Sequence, residues 1–286
     1  MQNLSGEKPS QPGQPTGASD EQPNFPGGPR GFSRRPTGGP REWAMFPGEL
    51  ATDRQSPSRG EALVDLAILV LASLGIYGIE LLLGSIDGVP KFEPAKGALT
   101  GIGIFVVALR LARRRGQTWS SIGLGRPARL RSIPLWGLVV MVATIAAQLT
   151  VVPLIAVLTH APAPDLGRYD AIQGNLALFL LTTAGAMVTG GFMEEVVHRG
   201  WMIDRLQRIF GGGRRARWGA ALSCGIPFGL LHFEWGLGGI LATTVMGSVL
   251  GLMYLATKRN LWPLIAAHAT LDFLLMLQVY LGLLES

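Results

Sequence analysis

The sequence predicts an all-α protein, a polytopic bundle of membrane-crossing helices, from three observations. Only 15% of the residues are charged, where a soluble domain carries about 25%, and the mean hydropathy is +0.32. Beyond residue 60, long apolar stretches recur near 62–84, 97–112, 133–158, 172–198, 217–234, 236–257 and 261–283. Basic residues gather in every second link between them. Most of these stretches meet the roughly 20 residues a helix needs to cross the hydrocarbon core. Seven transmembrane helices are expected, within a range of six to eight.

Residues 1–60 precede the first helix and form a separate region, rich in Pro, Gly, Ser, Gln and Arg. Such a segment buries too little apolar surface to offset its conformational entropy, so a disordered cytoplasmic tail is expected. It lacks the charged-then-apolar pattern of a cleavable signal peptide. Residues 61–286 form the membrane domain. Its second helix is short and contains Arg110, whose head group can snorkel out of the apolar layer.

The link after the second helix holds Arg113, Arg114, Arg115, Arg126, Arg129 and Arg131. The link after the fourth holds Arg205, Arg208, Arg214, Arg215 and Arg217, and Lys258 and Arg259 follow the sixth. The positive-inside rule puts these links in the cytoplasm of a plasma (inner) membrane protein, with the N-terminus inside and the C-terminus outside. The net charge of +6 thus belongs to membrane topology, and no nucleic-acid-binding motif accompanies it. Trp201 to Phe210 is amphipathic at helical spacing and is expected to lie on the cytoplasmic face. Gly211-Gly212-Gly213 ends it. No Lys-Ser/Thr follows that run, so it is a connection rather than a phosphate loop. A single cysteine, Cys224, excludes an internal disulfide and reads as a small buried packing residue.

The fourth apolar run is uncharged from Ile172 to Met193 and then carries Glu194, Glu195, His198 and Arg199. Ionisable groups on a membrane helix mark functional sites by default. On residues alone the pair reads equally well as a solvated motif at the interface. Neighbours on an α-helix point about 100° apart, so the two carboxylates take different roles. Glu195 shares a face with Arg199 and can pair with it, which leaves Glu194 as the freer carboxylate and the candidate general base. Glu194 and His198 share a face too, a spacing that suits two metal ligands. The zinc signature His-Glu-x-x-His is absent, however, and a structural role suits His198 better. In the fifth run His232 lies one turn beyond Phe228. Pro227 bends this helix, and Gly225 and Gly229 permit close packing. In the seventh run Asp272 lies one turn beyond His268 and can hold its imidazole in one orientation. For each histidine, a hydrogen bond that only joins helices is the competing explanation.

At these residues the chain resembles a known family. Glu194-Glu195-Val-Val-His-Arg199 is similar to Glu-Glu-x-x-x-Arg, Phe228-Gly-Leu-Leu-His232 to Phe-x-x-x-His, and His268-Ala-Thr-Leu-Asp272 to His-x-x-x-Asn/Asp. In this order on successive membrane helices they resemble the CPBP family, the CAAX prenyl endopeptidases and the Abi bacteriocin-processing and immunity proteases. The resemblance covers residues 165–286. It implies an intramembrane endopeptidase that hydrolyses a peptide bond of a membrane-associated, CAAX-type prenylated or other, protein or peptide. Glu194 would activate water, and His232 and His268 would stabilise the oxyanion. Glu195, Arg199, Phe228 and Asp272 would support them. No cofactor is required. A metal such as zinc, if bound, would take Glu194, His232 and His268. Asp272 stands where Asn is common and cannot donate a hydrogen bond unless protonated, so orienting His268 suits it better than binding an oxyanion. A proton- or ion-coupled transporter and a non-catalytic scaffold are the alternatives, although the two halves show no repeat of the kind carriers often have. Straight helices would leave His232 offset from Glu194 by roughly 15–20 Å along the membrane normal, so some departure from them is expected.

Overall fold

The computed structural model describes residues 57–86, 97–126 and 130–284, so nearly all of the expected N-terminal tail lies outside the described residues. The described residues form helices and no strand. Helix α1 (Arg59–Gly84) opens with a capping box: Ser58 accepts from the Glu61 backbone while the Glu61 side chain accepts from the Ser58 backbone. This pairing satisfies two of the free N–H groups of the first turn. Then follow α2 (Ala98–Arg114), α3 (Ser132–Thr159), α4 (Leu176–Ala186), a π-helical segment (Met187–Met202), α5 (Ile203–Ile209), α6 (Gly213–Ser223), α7 (Gly225–Leu230), α8 (Gly236–Ala256) and α9 (Trp262–Tyr280).

All seven apolar runs are helical, and five of them form helices long and apolar enough to cross a membrane. The other two are α2, with 17 residues, and the pair α6–α7, which is broken at Cys224. The break has a local cause. Proline has no N–H, so Pro227 cannot bond the carbonyl one turn back, at Ser223, where α6 ends.

The surface of the bundle is apolar and its interior carries charge. Leu149, Val157 and Leu158 on α3 are more than 70% exposed, as are many Leu and Val side chains of α1 to a lesser degree, whereas Glu195, Arg199 and Arg205 are wholly buried. An aliphatic surface this extensive has no place in water and fits a surround of lipid chains. The protein is an integral membrane protein.

The fourth run departs from expectation. Leu176–Ile209 is one continuous 34-residue helical span, roughly 50 Å long at the α-helical rise and well over the hydrocarbon thickness of about 30 Å. Trp201 to Phe210 therefore continues this span and is not a separate surface helix. Trp201 and Arg205 are buried in it, with the Arg205 guanidinium 4.3 Å from the centroid of the Trp201 ring. The partner that hides this face is α1, whose buried Asp65 lies 3.5 Å from Arg205 Nε and 2.9 Å from Arg115 Nη2. Those contacts gather the start of α1, the end of α2 and the end of the long span at one end of the bundle. The start of α9 lies beside the loop that leaves α2: the Leu261 N–H bonds Gly123 O at 3.0 Å and the Trp262 indole bonds Gly125 O at 3.1 Å.

Candidate active site

The helix that carries both glutamates is π-helical from Met187 to Met202. Such windings occur often at functional sites. Adjacent glutamates take different surroundings here: the Glu195 side chain is fully buried, whereas Glu194 keeps 26% of its side-chain surface. Gly190 and Gly191 lie one turn before them and let α9 approach. A Cβ on Gly191 would stand 2.7 Å from Ala269 Cβ and 2.9 Å from its Cα, and one on Gly190 would stand 2.7 Å from Asp272 Oδ2. The crossing is thus closest just where His268 and Asp272 leave α9.

Glu195 Oε1 accepts from Arg199 Nη1 and from His268 Nδ1, both at 2.7 Å. The second bond fixes the ring of His268, and because the carboxylate accepts, Nδ1 carries a hydrogen. It also corrects one expectation. Asp272 does not orient His268: its Oδ1 is 3.6 Å from Nε2, too far for a hydrogen bond. Arg199 is held in addition by Gly247 O at 3.2 Å, and its guanidinium lies 4.6 Å from the Phe228 ring centroid. Nε2 of His268 faces Glu194 Oε2 at 4.0 Å. This gap is too long for a direct hydrogen bond, yet one oxygen atom between the two can bond both.

Phe228 is the hub that joins the three motifs. Its ring centroid lies 5.1 Å from that of His198, 5.0 Å from His232 and 5.9 Å from His268. His232 is also packed edge-on against Trp235 at 5.0 Å, and its Nδ1 lies 2.9 Å from Phe228 O. A carbonyl only accepts, so this nitrogen donates and Nε2 is left as the free side of the ring. His198 donates to Glu194 O in the same way at 2.9 Å; its buried Nε2 has no partner, and the ring serves as packing.

The expected offset of His232 shrinks for two reasons. First, Glu194 is not at the end of its helix but 15 residues before Ile209. His232 is 19 residues beyond Gly213, where α6 starts. Measured from the shared Gly211–Gly213 turn these are depths of about 22 and 28 Å, a residual of roughly 6 Å. Second, α6–α7 is interrupted. The α7–α8 contact is close because Gly225 and Gly229 sit directly on the α8 backbone at Thr244 and Ile240. His268 needs no adjustment: Gly200 and Leu261 share a level beside Ile122, and Glu194 and His268 lie six and seven residues deeper.

Sequence reasoning missed the second bond of Glu195, the glycine pair and the loop before α4 that reaches the site. Tyr169, in a short 3-10 turn (Gly167–Ile172), packs on Trp235 with centroids 6.2 Å apart. Burial pushes its phenol pKa up, and the negative charges of Asp272 and Glu194 act in the same direction against the nearby Arg168. Among the described residues, no group of three or more His, Cys, Asp or Glu side chains is arranged to hold a metal ion.

Residues 175–274 match the family of Rce1-like type II CAAX prenyl endopeptidases. They form a CAAX-protease family domain. The match begins at Asn175, whose side chain caps α4 by accepting from the Leu178 backbone at 3.2 Å, and it ends two residues after Asp272, so all three motifs lie within it. The CAAX-protease family is one of peptide hydrolases, and the chain is an enzyme of that kind, a membrane-embedded protease acting on a membrane-associated protein. Searches among curated proteins and among solved structures gave no match.

Proposed function

We propose that the CAAX-protease domain hydrolyses a peptide bond by one activated water, with Glu194 as base and then acid. The water bridges Glu194 Oε2 and His268 Nε2, standing to one side of the 4.0 Å line that joins them. Glu194 takes a proton from it as the oxygen attacks the scissile carbonyl carbon. The electron pair of the C=O bond moves to oxygen. Glu194 then returns the proton to the amide nitrogen as the oxyanion's electron pair re-forms the C=O bond and the C–N bond breaks, leaving a carboxyl group and an amine. General acid–base work of this kind contributes about 10²–10⁴-fold.

His268 is suited to meet the oxyanion. Its Nδ1 is fixed by Glu195, and the carboxylates of Glu194, Glu195 and Asp272 around the ring compensate a second proton on Nε2. A preorganised donor of that kind is worth about 3–4 kcal/mol at an oxyanion. His232, donating through Nδ1 to Phe228 O, offers Nε2 to the water or to the same oxyanion. Glu195, Arg199 and Phe228 hold the two imidazoles in place. The substrate is a membrane-associated protein or peptide, CAAX-type prenylated or not. The arginine-rich end of the bundle faces the cytoplasm of an inner membrane, as the basic links favour.

One observation supports this reading most: Glu195 Oε1 joins Arg199 and His268 in a wholly buried cluster, beside a Glu194 that remains accessible. The test uses purified protein, a peptide library with and without prenyl groups, and metal content measured in parallel. Glu194→Gln should lose about 10²–10⁴-fold in turnover while binding peptide and melting as the parent does. Undiminished cleavage by Glu194→Gln would sink the assignment, and cleavage by metal-free protein would establish the metal-independent form.

A further inference from the structure

His232 sits on a weak piece of structure. The chain leaves α7 at Leu230, makes a three-residue 3-10 turn, Phe233–Trp235, and enters α8 at Gly236 with φ of 69°. No residue of that turn is buried. Its internal backbone bonds, such as the Trp235 N–H to His232 O at 3.0 Å, do not tell His232 how far to stand from Glu194 and His268, which come from other helices.

The segment before α4 supplies that information. Arg168 pairs with Glu234, two residues beyond His232. The Asp165 N–H bonds Trp235 O at 3.0 Å. Tyr169 meets the Trp235 ring, which in turn lies edge-on to His232. On its other side Tyr169 packs against Ile172, Phe179, Met276 and Val279, a cluster shared by α4 and α9. The segment therefore touches both the turn that bears His232 and the two helices that lead to Glu194 and His268. It is also tied to the end of α9 by the Gly174 N–H on Tyr280 O at 3.0 Å.

We propose that Arg168 and Glu234, together with Tyr169 and Trp235, form a clasp that sets the position of His232 relative to the Glu194–His268 pair. These are positioning residues, none of which need touch the scissile bond. The inference rests on the role given above to His232. The pair is largely buried, with 14% and 23% of the two side chains exposed, and the role assigned to it is geometric, since a displacement of about 1 Å can cost about 10²-fold in rate.

The experiment is a double-mutant cycle on the full chain, with peptide hydrolysis and thermal unfolding both measured. Arg168→Ala and Glu234→Ala should each lower kcat by roughly tenfold or more with KM little changed. The charge-swapped pair Arg168→Glu with Glu234→Arg should regain most of that loss. In a His232→Ala background, Arg168→Ala should add almost nothing, because the group it positions is gone. A loss that multiplies in full with that of His232→Ala overturns the clasp, as does a charge swap that melts normally yet stays slow, or an Arg168→Ala protein with parental kcat. A His232→Ala protein with parental turnover overturns the role of His232 itself, and is distinguishable because it is read before any change at Arg168.

Discussion

Replacing Glu195 separates what holds the bundle together from what drives hydrolysis. Both its neighbours are buried: Arg199 is 0% and His268 3% exposed. Glu195→Gln keeps the size and one acceptor oxygen but removes the negative charge. Arg199 is then a buried cation without a counter-charge, left with the amide oxygen, Gly247 O and the Phe228 ring. Breaking a buried pair by removing one partner costs about 3–5 kcal/mol. For a bundle of this size each kcal/mol shifts Tm by about 2–4 °C, so Tm should fall by roughly 6–20 °C. The double replacement Glu195→Leu with Arg199→Met removes both charges, and such exchanges are often neutral or stabilising. Its Tm should return close to the parental value. Activity should not return with it, because His268 Nδ1 has lost the atom that fixes the ring. The assays are intrinsic tryptophan fluorescence on heating in detergent and turnover of a cleavable peptide. A Glu195→Gln protein that melts and turns over like the parent would refute the reasoning. A double variant that recovers activity along with Tm would show that Glu195 serves the fold alone.

Two further variants test the geometry around it. Gly191→Ala should destabilise by about 1–3 kcal/mol through overpacking, since its Cβ meets Ala269 backbone as well as side chain; turnover should fall further than Tm accounts for, as α9 is pushed from Glu194, and a Gly191→Ala protein that melts and cleaves normally removes the crossing from the argument. Asp272→Asn should leave the orientation of His268 intact, because no hydrogen bond joins the two side chains; kcat should then stay within about tenfold of the parent, well above Glu195→Gln, and a deeper loss than Glu195→Gln would restore Asp272 as the orienting group.

The helices were legible because lipid imposes a simple rule: a spanning segment must be apolar and long, and its links may be charged. That rule found every run and failed at two ends. It closed the fourth helix near His198 because charge begins at Glu194. The chain instead stays helical to Ile209 by giving Arg205 the buried Asp65 of α1, a partner 140 residues away that no local pattern reveals. It also treated α6–α7 as one span, although Pro227 was visible and its carbonyl partner at Ser223 could be counted. Both errors entered the offset assigned to His232.

The site divides along similar lines. The pairing of Glu195 with Arg199 follows from four-residue spacing on one helix and appears at 2.7 Å. The partner of His268 was sought on its own helix for the same reason, at Asp272. The structure puts that partner on another helix, where Glu195 already holds Arg199. Local spacing favours Asp272, and the winding of Met187–Met202 and the glycines beside it favour Glu195. The second wins because Glu195 Oε1 lies 2.7 Å from both the Arg199 guanidinium and the His268 imidazole, whereas Asp272 Oδ1 stands 3.6 Å from the same ring. Two adjacent acids can therefore differ in role without differing in chemistry: Glu195 is wholly buried and committed through Oε1 to two donors, and only Glu194 keeps an accessible carboxylate that a water can reach.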